Sequence, residues 1–145
     1  MTSTESIILP QHNNRLTTFL TTGLISGVAA AFLNLIYMYL HKSITSFSIP
    51  EVINIGSVAL ASLIPGIISG IYYFILRRIM TDKNALVTFL GTLAFITLVS
   101  LLGPLSNGLP DGIITPDEFS GLSIPMHIIA VSFYSVMIVR SVTRS

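Results

Sequence analysis

Four stretches of the sequence, Leu16 to Leu40, Ile53 to Leu76, Asn84 to Leu102 and Phe119 to Val139, contain no Asp, Glu, Lys or Arg. Each is roughly 19 to 25 residues long, and about 20 helical residues cross a hydrocarbon core about 30 Å thick. Soluble helices seldom reach that length four times without a polar stripe. Charged residues make up 9% of the chain, against about 25% in a soluble domain, too few to cover a water-facing surface. The pattern predicts an all-α fold: a polytopic membrane protein with four transmembrane helices in an antiparallel up-down bundle. Residues 16–140 form one membrane domain, with tails at 1–15 and 141–145.

The linkers carry turn formers: Ser43, Ser46, Ser48 and Pro50 in the first, Gly103-Pro104, Asn107-Gly108, Pro110-Asp111-Gly112 and Thr115-Pro116-Asp117 in the last. Short connections imply antiparallel neighbours. Lys and Arg are retained on the cytoplasmic side during insertion. Arg15, Arg77, Arg78, Lys83, Arg140 and Arg144 fall on one side and only Lys42 on the other, so both termini are expected in the cytoplasm of a multi-pass cell-membrane protein. Glu51, Asp111, Asp117 and Glu118 then face outward. Tyr72 and Tyr73 are expected near the inner interface, Tyr37 and Tyr39 near the outer. The first apolar run is too long for a cleaved signal, whose apolar region spans about 7 to 15 residues.

The same scarcity of ionised groups removes several functions. Net charge is +1, with no basic surface to track a phosphate backbone, so no nucleic-acid partner is expected. Cysteine is absent, which excludes disulfides, thiolate metal sites and thiol catalysis. No carboxylate or lysine lies in a span to relay protons or sodium, and no GxxxxGK or GxGxxG motif occurs. No enzyme activity, metal or cofactor is expected. A haem needs axial ligands within the helices, and His41 stands at the very end of its run.

Packing signals are more positive. Gly23, Gly27 and Ala31 make a small-residue stripe on the first helix, and Ser62, Gly66 and Gly70 make another on the second. Such stripes let backbones approach in lipid. Measured from Arg15 and Arg77, Gly23 and Gly70 lie at equal depth, as do Gly27 and Gly66, so an antiparallel hairpin brings them together; the competing use is homodimerisation. Pro65, at the middle of the second helix, removes a hydrogen bond and clashes with the Ala61 carbonyl, which predicts a static kink fitted to its neighbour.

Asn34 and His127 are polar groups that lipid leaves unsatisfied. Asn34 is 8 residues from Lys42 and His127 is 9 from Glu118, similar depths from the outer edge. From Arg15 and Arg140 they are 19 and 13 residues away, which separates them unless the fourth helix runs on. They form a candidate intramembrane polar site, with a structural interhelical hydrogen bond as the simpler role for His127. If Ser123-Ile124-Pro125 opens the fourth helix, Ser123 is its cap and His127 becomes interfacial. The hydroxyls of Thr88, Thr92, Thr97, Ser100, Ser132 and Ser135 usually bond back to their own helices.

Asn34, Gly103-Pro104-Leu105 closing the third span and Met126-His127 opening the fourth resemble a family of small, uncharacterised bacterial four-helix membrane proteins, a domain of unknown function. The resemblance covers most of residues 16–140. It implies an inner-membrane four-helix unit with no assigned activity and carries over no catalytic residue. The leading expectation is a non-enzymatic structural or accessory subunit, packing through its small-residue faces on membrane-protein partners or on itself. The alternatives are a small transporter or channel, which needs a polar cavity, and a lipid- or quinone-binding protein, which needs an apolar cleft near His127 open to the membrane.

Overall fold

The computed structural model describes residues 12–46, 53–105 and 117–143, with the backbone alone for 12–15 and 117. The described residues form four helices: α1 His12–Thr45, α2 Ile55–Ile79, α3 Asp82–Leu105 and α4 Asp117–Thr143. The tail before residue 12, Glu51, the loop around Asp111, and Arg144 lie outside the described residues. All four helices are long and apolar enough to cross a membrane, and the chain is a multi-pass membrane protein.

α1, α3 and α4 extend past both ends of their uncharged runs and α2 past its C-terminal end, because helical bonds are satisfied within the segment and do not end where the hydrocarbon ends. Only Met80 and Thr81 separate α2 from α3. The start of α2 is fixed by a capping box: Asn54 Oδ1 accepts from Ser57 N and Ser57 Oγ accepts from Asn54 N, each at 2.9 Å. Ile53, just before the cap, packs on the cluster containing Val58, in the manner of a hydrophobic staple. Gly103-Pro104 does not mark a turn. Both residues are helical, since a proline so close to the end of α3 removes only one ladder bond.

The fourth helix begins at Asp117, so Ser123 is not its cap and Pro125 lies inside it. Pro125 has no N–H to give the carbonyl of Gly121, four residues earlier. The Tyr37 hydroxyl donates to that carbonyl instead, at 2.7 Å.

Interhelical contacts define an up-down bundle. Gly23 meets Gly66 and Gly70, and Gly27 meets Ser62 and Leu63, so α1 and α2 are antiparallel and in the register of the two small-residue stripes. A Cβ on Gly66 would stand 2.7 Å from the Gly23 carbonyl oxygen and 2.8 Å from the Gly27 Cα. These backbones touch at a distance that admits no side chain. Ala31, the next residue of the stripe on α1, is buried, as is Ala30 beside it.

Two apolar clusters close the bundle. At the arginine end, Phe19, Tyr73, Leu76, Ala85, Phe89 and Ile138 draw on all four helices. Tyr73 packs edge-on against Phe19 and Phe89, with ring centroids 5.1 and 5.3 Å away. It is fully buried, so Tyr73 is a core residue rather than an interfacial anchor. Arg77 forms a two-bond ion pair with Asp82 across the α2–α3 turn, at 2.8 and 2.7 Å. At the opposite end, Met38, Val58 and Leu122 join α1, α2 and α4.

The third helix is held differently. In their most apolar windows α1 and α2 are 39% and 33% buried, but α3 only 11%. Its buried residues are Ala85 and Phe89 near its start and Pro104 at its end. The carbonyl of Pro104 accepts from Ser120 on α4. Held most firmly toward its ends, α3 packs less tightly along its middle, where the Tyr72–Thr92 hydrogen bond ties it to α2.

Candidate functional site

Two polar arrangements occupy the middle of the bundle. The first is a buried layer on the glycine contact. Asn34 is seven residues beyond Gly27, two helical turns along the same face, and so meets α2 where Ser62 continues the second stripe. Asn34 Nδ2 donates to Ser62 Oγ at 3.1 Å, and Ser62 Oγ donates to the Val58 carbonyl at 3.0 Å. From α4, the Tyr134 hydroxyl donates to the Ser62 carbonyl at 2.6 Å. Among the described residues Asn34 Oδ1, which is buried, has no partner.

Among the described residues no hydrogen bond joins Asn34 to His127. His127 Nδ1 lies 2.8 Å from the carbonyl of Ser123, on its own helix. The face that carries Asn34 is the face that the glycines commit to α2, and depth counting alone did not contain that information. The partner that sequence reasoning missed, Tyr134, gave no periodic signal. Ser62 was legible only as a small residue.

The second arrangement is a cavity of about 560 Å³ between α2, α3 and α4. It lies where α3 stands off the bundle. Ala61, Pro65 and Ile68 on α2, Leu93 and Ile96 on α3, and Ala130 and Val131 on α4 supply its apolar wall. Ile68 and Ile96 line it and are 57% and 56% exposed. Both sit near the midpoint of their helices, so the cavity opens sideways between α2 and α3, toward the lipid tails. Pro65 belongs to this wall, and α2 runs through it as one helix.

Six hydroxyl residues also line the cavity, but their protons are largely spent. Ser69 donates to the Pro65 carbonyl, Thr97 to Leu93, Ser100 to Thr97, and Tyr134 to Ser62. Tyr72 and Thr92 bond to each other at 3.0 Å. His127 completes the lining. The chamber is therefore predominantly apolar, within the size range of small-molecule sites, and it differs from the polar path a transporter would need.

Fold and cavity together define a four-helix multi-pass membrane protein with a lateral, lipid-facing chamber. A family model matches residues 12–111, and the chain belongs to that family, the family of unknown function DUF6069. No curated protein and no solved structure matches the chain.

Proposed function

We propose that this is a non-enzymatic membrane protein that holds a lipid-soluble molecule in the chamber between α2, α3 and α4. The observation that carries the reading is the apolar wall at mid-membrane, opening where Ile68 and Ile96 are exposed. A void of this size in hydrocarbon forfeits dispersion contacts unless something fills it. The fully buried residues of the helix that bounds it lie toward its ends, with the Tyr72–Thr92 bond between them, which allows entry without disturbing the α1–α2 contact.

An accessory role, docking on partner helices or a second copy, is compatible with the same fold. It would not use the small-residue faces, because Gly23, Gly27, Gly66 and Gly70 already fill one another within the chain. Six basic residues on one side against Lys42 on the other support an orientation with both termini cytoplasmic.

Photolabelling of the protein in membranes with an apolar trifluoromethyl phenyldiazirine tests the binding reading. Adducts are expected at Ala130 and Val131 and should fade with excess unlabelled apolar competitor. Adducts confined to the lipid-facing residues Val87, Phe95 and Leu98 would overturn it.

A further inference from the structure

We infer that the chamber selects molecules carrying a hydroxyl donor, which they give to Nε2 of His127; the inference rests on the chamber being a binding site. A carbonyl oxygen only accepts, so the 2.8 Å contact between His127 Nδ1 and the Ser123 carbonyl places the ring proton on Nδ1. In a neutral imidazole the other nitrogen is then a bare acceptor. Nε2 is that nitrogen, and among the described residues it has no hydrogen-bond partner.

The remainder of the wall has the same bias. Four of its six hydroxyls donate to carbonyls, and the Tyr72–Thr92 pair retains a single proton between its two oxygens. Pro65 and Pro104 lack the N–H groups that would bond the carbonyls of Ala61 and Ser100, four residues earlier, and both of those residues line the chamber.

A wall rich in acceptors and poor in donors favours a headgroup that donates. A long-chain alcohol, a phenol or the reduced, hydroxyl-bearing form of a quinone meets this condition. The oxidised quinone, whose ring oxygens only accept, leaves Nε2 unmatched. The volume accommodates one such ring with part of its chain. A lipid or quinone beside His127 is one of the alternatives the sequence leaves open; the ring's backbone bond adds which half of a redox pair such a site prefers.

Dodecylphenol and dodecylanisole differ in that only the first donates, which isolates the effect. Binding of each to the purified full chain in mild detergent is measured by competition with a fluorescent apolar probe. Wild type is expected to bind the phenol about three- to tenfold more tightly, the range of one net hydrogen bond. His127→Phe should bring the phenol down to the level of the anisole and leave the anisole unchanged. Equal binding of both by wild type overturns the role of His127 while the chamber stands as a site. Binding of neither overturns the chamber and this inference together.

Nitrogen NMR of histidine-labelled wild-type protein supplies a readout that does not depend on the variant folding. The free protein should show a His127 ring protonated at Nδ1, with the Nε2 resonance moving on addition of the phenol and not of the anisole. A ring protonated at Nε2 would contradict the inference.

Discussion

Asn34 gives an amide proton to the Ser62 hydroxyl at 3.1 Å, while its own carbonyl oxygen, sealed inside the bundle, accepts from none of the described residues. The pair sits at the end of the glycine contact and is half satisfied: it aligns α1 with α2 and leaves one acceptor whose desolvation is not repaid. Removing its two partners should therefore have unequal effects. Ser62→Ala strands both ends of the amide and should cost about 1 to 2 kcal/mol. Asn34→Leu removes the orphan along with the bond and should stay within about 1 kcal/mol of wild type. Reversible unfolding in mixed micelles measures both; a larger loss for Asn34→Leu would show that the amide contributes more than this geometry allows.

Gly66 and Gly91 make a matched pair of opposite sign. A Cβ on Gly66 meets Gly23 and Gly27 backbone below 3 Å, whereas one on Gly91 meets nothing within 4 Å. Gly66→Ala should cost roughly 1 to 3 kcal/mol by overpacking. Gly91→Ala should be neutral or stabilising by up to about 1 kcal/mol, through its helix propensity. The same unfolding assay decides, and equal effects at the two sites would contradict the observed register.

The Arg77–Asp82 pair closes the α2–α3 turn, but the Asp82 side chain is 62% exposed. Asp82→Asn should cost less than about 1 kcal/mol and lose even that at high salt. Arg77→Ala should cost more, because Arg77 also lies over the Phe19 ring, 5.6 Å from its centroid. Stability measured at low and high salt separates the two, and a salt-insensitive Asp82→Asn effect would show that the pair is more deeply shielded than its exposure implies.

The distribution of basic residues makes a topological prediction. Phosphatase fusions, active only outside the cytoplasm, should be inactive at either terminus and active when inserted in the loop between α3 and α4. Activity at one terminus alone would remove a span from the bundle.

The number of helices was legible because ionised side chains cannot be hidden in hydrocarbon: a run without them is readable residue by residue. The α1–α2 register was also legible, since glycine spacing and distance from the flanking arginines are both sequence quantities. The helix ends were not, because Gly103-Pro104 and Ser123-Ile124-Pro125 are compatible with a turn or with helix, and tertiary contacts decide. Tyr37 covering the Gly121 carbonyl is one such contact. Asn34 is legible as a polar group needing a partner, and its seven-residue spacing from Gly27 identifies the face it shares, which depth alone does not. The chamber could not be read at all. It depends on how far α3 stands from α2 and α4, which Ala85, Phe89 and Pro104 set by packing at its two ends.

The most direct test is native mass spectrometry of the chain released from mild detergent, wild type beside Ala130→Trp, whose indole would occupy the chamber. Wild type should carry one apolar molecule per chain, and the folded variant should fly without it. Both proteins bare, or both carrying the same adduct, would contradict a ligand held between α2, α3 and α4.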